Sequence, residues 1–94
     1  MPHVLIRHKV KDYKKWKSVF DEHIDFRKAG GEKGGQVFRN IDNTSEVITV
    51  LKWDTIEKAR KFIESVDLKK AMEKAGVDGK PEIYFLEEVE LIKE

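Results

Sequence analysis

The chain has 94 residues, enough for one hydrophobic core, and we expect residues 1–94 to fold as a single domain. Its 19 Lys and Arg residues nearly balance its 18 Asp and Glu residues, so the net charge of +1 gives no electrostatic reason to expect a nucleic acid or an anionic membrane as a partner. There is no cysteine, which excludes disulfides, thiolate metal sites and cysteine nucleophiles.

The first part of the chain predicts a strand followed by a helix. β-Branched and apolar residues favour a strand over residues 4–10. Asp12 is a good N-cap, and a helix is predicted to follow over residues 13–28. Gly30 and Gly31 end this helix, because glycine readily adopts the left-handed conformation that closes helices.

The rest of the chain adds a hairpin, a helical region and a last strand. Asp54, with Glu57 three residues later, has the spacing of a capping box at the start of the helical region. The predicted elements are strands over residues 36–41 and 46–53, a helix after Asp54, a short helix from Asp67 to Gly76, and a strand over residues 82–91. The order β-α-β-β-α-β predicts an α+β, ferredoxin-like fold, with a four-stranded antiparallel sheet and helices on one face.

Both sides of the predicted strands carry apolar residues. Three strands show this pattern. In the first, Val4 and Ile6 oppose Leu5; in the third, Val47, Thr49, Leu51 and Trp53 oppose Ile48 and Val50; and in the last, Ile83, Phe85, Val89 and Leu91 oppose Tyr84 and Leu86. Helices cover only one face of such a sheet, and a large apolar face is rarely left bare. We therefore expect a homodimer in which the open sheet face packs on a second copy. The alternative is an apolar sheet face that stays in water.

Two residues interrupt the apolar side of the first predicted helix. His23 and Arg27 lie near the centre of a side formed by Tyr13, Trp16, Val19, Phe20, Ile24 and Phe26. In a structural interpretation, Arg27 extends past the aromatic rings to pair with a carboxylate or a carbonyl, and His23 is an ordinary histidine whose hydrogen bonds are satisfied. In a functional interpretation, both line a pocket between helix and sheet, where His23 acts as base or hydrogen-bond partner and Arg27 holds an anion.

Other aromatic and polar residues are candidates for the wall of the same pocket. The candidate ligand-binding residues are Trp16, Phe20, His8, Asn40 and Trp53. The three histidines lack the spacing of metal ligands, and the glycines form no phosphate-binding loop, so we expect neither a metal nor a cofactor. The third strand lacks the aromatic motif of RNA-recognition modules.

We expect a cytoplasmic protein without a membrane partner. No charged-then-apolar signal region stands at the start of the chain. No apolar stretch approaches the ~20 residues that are needed to span a bilayer.

Five segments together resemble the dimeric α+β-barrel superfamily, and within it the antibiotic-biosynthesis-monooxygenase-like proteins. They are residues 12–16, 34–40, 65–72, 75–77 and 81–89, and the resemblance covers essentially the whole chain. It implies a barrel formed by the sheets of two subunits, with a ligand site between each sheet and its helices. Some members oxygenate activated aromatic substrates without flavin or metal, whereas others degrade haem, isomerise lactones, cyclise polyketides or have no known activity. The Asn-Trp-His set of the haem-degrading members has no position-by-position match here.

These observations leave functions of different kinds open. In the first, the chain is a cofactor-independent monooxygenase, isomerase or cyclase that acts on a small, mostly apolar, acidic molecule. His23 then deprotonates the substrate or steadies its anion, and Arg27 stabilises the developing oxyanion. In the second, the chain is a non-catalytic ligand-binding or stress-related dimeric barrel protein. The third is an interaction module whose exposed helices recruit a partner, which the mixed surface charge neither supports nor excludes.

Overall fold

Four antiparallel strands form one sheet, and four helices pack on one of its faces. The computed structural model describes residues 1–94, and its elements in chain order are β1 (His3–Val10), α1 (Tyr13–Glu22), α2 (Ile24–Gly30), β2 (Glu32–Arg39), β3 (Glu46–Trp53), α3 (Ile56–Ile63), α4 (Val66–Lys74) and β4 (Val77–Leu86). The strand order is β2-β3-β1-β4. This is the predicted α+β, ferredoxin-like fold. None of the helices has the length and apolar character that a membrane crossing requires.

The register of the strands divides their side chains between two faces of the sheet. Val4 pairs with Leu51, Ile6 pairs with Thr49, and these side chains are buried beneath the helices. Because strand side chains alternate, the residues between them point to the opposite side. We call this side the open face; its apolar residues are Leu5, Phe38, Ile48, Val50, Tyr84 and Leu86. The apolar pattern predicted for both sides of the strands is therefore present in the folded chain.

The helix predicted over residues 13–28 is two helices, broken at His23. Asp12 caps α1 as predicted, and Gly31 closes α2 with a φ of 114°. At the break, the backbone N–H of His23 donates to the carbonyl oxygen of Phe20 at 3.3 Å, and the same oxygen accepts from Arg27 Nη1 at 2.5 Å. A side chain from the next turn thus takes up a carbonyl at the end of α1, which stabilises the break.

The predicted bounds of β2 and β4 were wrong by several residues. β2 begins at Glu32 because this residue already pairs with Trp53 at the end of β3. β4 begins at Val77, opposite the last residue of β1, and it ends at Leu86, opposite His3. Strand length is set by the neighbouring strand, since hydrogen bonds are made only where a partner strand runs alongside. The apolar pattern beyond residue 86 continues without a partner in the sheet.

The caps predicted for the second helical region were also wrong. The Thr55 hydroxyl accepts from the backbone N–H of Lys58 and caps α3, whereas Asp54 binds Lys58 Nζ at 2.8 Å. Ser65 caps α4, so this helix begins before Asp67. Thr55 and Ser65 both have the extended backbone that an N-cap requires, directly before the first helical residue.

Candidate functional site

A cavity of about 60 Å³ lies between the sheet and the helices. Residues of two separate clusters of buried apolar side chains line it, so it lies at their junction. The first cluster consists of Val4, Ile6, Leu51, Trp53, Ala59 and Phe62, and the second of Val10, Trp16, Val19, Val47 and Ala75. Eleven of the fifteen lining residues are hydrophobic. This helix–sheet cavity has the apolar character of small-molecule sites.

His8 is the most deeply buried polar residue of β1 that faces the helices. Its side chain lines the helix–sheet cavity and is only 6% exposed, and its ring lies 5.5 Å from that of Trp16. Neither Nδ1 nor Nε2 has a hydrogen-bond partner in the protein. Burial lowers the pKa of His8 to about 4, so the imidazole is neutral at pH 7. A neutral imidazole offers one donor and one acceptor, and both are unused here.

The edge strand β4 bulges opposite His8. Residues 79–81 stand opposite this one residue of β1, between the flanking pairs Arg7–Glu82 and Lys9–Asp78. Gly79 supplies the positive φ of 76° and Pro81 lacks a backbone N–H, so both residues suit a break in the ladder. Bulges often lie beside functional sites, where they re-aim side chains. The bulge and the unpaired ring nitrogens therefore both occur at His8.

Arg27 is buried and paired. Its Nε donates to Oε1 of Glu32 at 2.9 Å, and both side chains are 6% exposed. The guanidinium lies 3.7 Å from the centre of the Phe20 ring, and Oε2 of Glu32 accepts from the backbone N–H of Gly34 at 3.3 Å. Two of the five guanidinium N–H groups bind Glu32 and the Phe20 carbonyl, which leaves three for other partners. The charge of Arg27 is thus already balanced without a ligand.

Aromatic rings and His23 form the remaining wall on the side of α1 and α2. The rings of Trp16 and Phe20 stack at 5.0 Å, and both line the cavity. His23 is half-buried at the α1–α2 break, and its ring meets Phe26 edge to face at 6.2 Å. Phe26 is 38% exposed. His23 and Phe26 thus place partly exposed side chains at this side of the cavity.

Of the seven predicted site residues, the structure brings five together at the cavity and places two elsewhere. Asn40 lies at the β2–β3 turn, where its Oδ1 accepts from the backbone N–H of Asp42. It lies one residue beyond the end of β2 and outside the cavity lining. Trp53 is fully buried at the end of β3 and packs against Phe62 at 4.7 Å, outside the cavity lining.

Several residues at the site were missed in the sequence. Glu32 was not singled out, although a buried Arg27 requires a carboxylate or carbonyl partner and Glu32 lies five residues later. Thr49 is 2% exposed and lines the cavity in the apolar row of β3. Its place between Val47 and Leu51 is the signal that could have identified it. Ala71 and Met72 of α4 also line the cavity, and their contact depends on how α4 packs.

No group of three or more His, Asp or Glu side chains is arranged to hold a metal ion. At the cavity, His8 is neutral, and Arg27 and Glu32 form a neutral pair. The arrangement can therefore enclose an apolar molecule, exchange hydrogen bonds with an oxygen on it through His8, and offer Arg27 donors to a developing negative charge.

Comparison with known proteins identifies the fold. No protein-family model matches the chain, and no curated protein matches it. SnoaB, a cofactor-independent oxygenase from Streptomyces nogalater, superposes with a TM-score of 0.80 at 14% identity, over 99% of this chain and 97% of that chain.

Two further solved structures are similar. A candidate antibiotic biosynthesis monooxygenase from Bordetella bronchiseptica gives a TM-score of 0.76 at 16% identity, over 94% of this chain and 96% of that chain. Another, from Caulobacter crescentus CB15, gives 0.74 at 19% identity, over 95% and 90%. The chain has the fold of the antibiotic-biosynthesis-monooxygenase-like proteins, as its sequence resemblance predicted.

Proposed function

We propose that the chain binds a small, largely apolar molecule in the helix–sheet cavity and converts it without a cofactor, as a monooxygenase, isomerase or cyclase. The observation that carries this proposal is the cavity itself, an apolar space at the junction of two core clusters with His8, His23 and Arg27 on its wall. The shared fold with SnoaB supports the oxygenase among these activities.

In this proposal, His23, at the break between α1 and α2, and Arg27, one turn later in α2, have separate roles in the reaction. His23 takes a proton from the substrate and passes it to water, since its side chain is partly exposed. The unused N–H groups of Arg27 stabilise the oxyanion that develops. For an oxygenase, the substrate carbanion then supplies the electron to dioxygen.

The size of the cavity requires movement on binding. A cavity of about 150 Å³ is known to hold benzene. The volume of about 60 Å³ here is smaller, so an aromatic substrate enters only if the lining side chains or helices shift. Phe26, which is partly exposed at the wall, and Met72, whose side chain is flexible, are the residues best placed to move.

A non-catalytic ligand-binding protein is the second candidate function. The Arg27–Glu32 ion pair and the small cavity favour it. Because Glu32 already neutralises Arg27, this arginine would stabilise an anionic transition state less strongly. Both functions require the same cavity, so binding alone does not separate them. Turnover does.

The experiment measures binding by calorimetry and oxygen uptake with an oxygen electrode, using hydroxylated polycyclic ketones as candidate substrates. Catalysis predicts that His23→Ala keeps binding but loses most oxygen uptake or product formation, whereas the exposed control Lys28→Ala keeps both. Binding without turnover in the wild type favours the non-catalytic alternative. Absence of binding by every candidate contradicts the proposal.

We also propose that a second copy of the chain covers the open face. The apolar side chains there include Phe38 and Tyr84, which are about half exposed at 47% and 51%. Arg7 lies between Glu46 at 2.5 Å and Glu82 at 3.4 Å, so the face carries both charges and is suited to a two-fold contact with itself. The Arg7 hydrogen bond and charge lower the pKa of Glu46, which keeps this carboxylate ionised.

Light scattering coupled to size-exclusion chromatography tests this dimer. The wild type is expected to have twice the mass of the chain. Val50→Lys, which places a charge at the centre of the open face, is expected to be monomeric, and Lys61→Ala on exposed α3 is the control. A monomeric wild type at high micromolar concentration contradicts the dimer.

A further inference from the structure

The imidazole of His8 is a buried polar group without a protein partner. It is 6% exposed, and both ring nitrogens lack a hydrogen bond. Buried polar groups in proteins are nearly always paired, because an unpaired one loses its bonds to water without compensation. An apolar residue would fit this position among Ile6, Val47 and Trp16 without that penalty. A histidine that destabilises the core here needs another reason to be present.

On the side of the helix–sheet cavity, the surroundings of His8 are mostly apolar, whereas charged residues of β1, β3 and β4 lie around it on the other side of the sheet. Ile6 and Thr49 line the cavity from the sheet, and Trp16, Val19 and Ala75 line it from the helices. The charged side chain on the cavity wall is Arg27, which is bound to Glu32. A ligand with a carboxylate would bring a second anion to Arg27, whose charge Glu32 already balances, and would leave the cavity with a net buried charge, which is unfavourable. An uncharged ligand with a polar oxygen avoids that penalty.

We infer that His8 determines the class of ligand, by selecting an uncharged aromatic or alicyclic molecule that carries a hydroxyl or carbonyl oxygen. The inference rests on the proposed function, since it requires that the helix–sheet cavity binds a small molecule. A hydroxyl donates to the unprotonated ring nitrogen, and a carbonyl accepts from the ring N–H. Because the imidazole is neutral, it can form a hydrogen bond with such an oxygen whether or not the oxygen is ionised. The acidic ligand expected from Arg27 is replaced by a neutral one.

Three single-ring probes of similar size separate the possibilities: phenol, toluene and benzoate. Phenol and toluene differ by a hydroxyl in place of a methyl group, so any opening of the cavity affects both equally. We expect phenol to bind the wild type at least about tenfold more tightly than toluene, which corresponds to the strength of one good buried hydrogen bond. Benzoate is expected to bind more weakly than either. Binding is measured by calorimetry and by NMR of the His8 ring nitrogens, whose ¹⁵N shifts respond to hydrogen bonding.

Variants at position 8 assign the preference to the imidazole. His8→Leu is expected to reverse the preference and bind toluene more tightly than phenol, because the phenol hydroxyl then lies unpaired in an apolar cavity. His8→Gln, which keeps a donor and an acceptor, is expected to restore part of the preference for phenol. His8→Leu is expected to fold, and to unfold at a higher urea concentration than the wild type, because it removes an unpaired polar group. The control is His3→Leu, at the other end of β1 on the open face, which is expected to keep the wild-type preference.

The outcomes separate this inference from the proposed function. Equal binding of phenol and toluene to the wild type, or tightest binding of benzoate, overturns the role of His8 but leaves a binding cavity in place. A preference for phenol that survives in His8→Leu also overturns it. Absence of binding by all three probes overturns both.

Discussion

The buried imidazole of His8 is expected to lower the stability of the fold and to favour the binding of a ligand. Leu51 or Val4 in the same buried layer contribute by losing contact with water. The imidazole is buried to a similar extent, and yet its two nitrogens bind nothing in the protein. Its contribution to folding is therefore unfavourable, and the free energy of unfolding should reveal it.

The free energy of unfolding is predicted to decrease as the pH is lowered from 6.5 to 4. The pKa of His8 drops from 6.5 to about 4 on folding, so the unfolded chain binds the proton first as the pH falls through this window. The full effect is about 3 kcal/mol, present below pH 4 and absent above pH 6.5. Urea unfolding at a series of pH values measures it. His8→Leu is expected to lose this part of the pH dependence, while His3→Leu keeps it; identical profiles for wild type and His8→Leu would falsify the assignment.

The Arg27–Glu32 ion pair is predicted to be strongly coupled. Arg27→Met leaves a buried carboxylate without its cation, and we expect a loss of roughly 3 kcal/mol or more in the free energy of unfolding. Arg27→Met combined with Glu32→Gln removes both charges, and we expect it to recover part of that loss. A double-mutant cycle from urea unfolding measures the coupling. The exposed pair Lys17–Asp21, treated in the same way, is expected to show less than about 1 kcal/mol. Additive effects at the buried pair would contradict the prediction.

At the scale of the elements, the folded chain departs from the local sequence pattern at two places, the break between α1 and α2 and the start of β2. The apolar pattern is continuous from residue 13 to 28, but Arg27 takes the Phe20 carbonyl and the helix breaks at His23. β2 has a similar departure, since its pairing with β3 shifts between Glu32 and Gly35. Neither departure is visible in the local apolar pattern of the sequence.

Gly35 is predicted to be required for the pairing of β2 with β3. A Cβ at this position would overlap the carbonyl oxygen of Val50 and press on Leu51. Because backbone atoms of a central strand move little, Gly35→Ala is expected to cost roughly 3 kcal/mol or more. Gly34→Ala is the matched control: its Cβ would meet no atom within 4 Å, although its φ of 100° disfavours alanine, so we expect a loss of about 1 kcal/mol. Thermal unfolding by circular dichroism compares them, and equal losses would be the contrary result.

At the scale of the whole molecule, a 94-residue chain divides its core into two clusters and has an apolar sheet face outside them. Small domains bury a limited share of their surface, so association is a natural source of additional stability. The proposed dimer links folding to protein concentration. We expect the melting temperature to rise by several degrees between about 1 and 100 µM protein. Val50→Lys is expected to melt at a temperature that is independent of concentration, and a concentration-independent wild type would argue against the dimer.

The element order and the apolar character of both strand faces follow from the sequence alone. They depend on local patterns, namely strand alternation, helical periodicity and the glycines after residue 29, and each is visible within a short window. These patterns were sufficient for the ferredoxin-like fold and for placing His8, Trp16, Phe20, His23 and Arg27 on the side of the sheet that holds the cavity.

The partners of those side chains depend on residues that are distant in sequence or on another element. Pairing with Glu32 neutralises Arg27, while His8 packs against Trp16 and neither of its ring nitrogens finds a partner. Asn40 lies outside the cavity because β2 ends at Arg39 and the chain turns there toward β3. Whether a buried polar group is satisfied depends on three-dimensional contacts, which periodicity does not contain. For this reason the sequence left open whether Arg27 is paired or holds a ligand. The folded chain shows that Arg27 is paired and that the ring nitrogens of His8 are among the buried polar atoms without a partner.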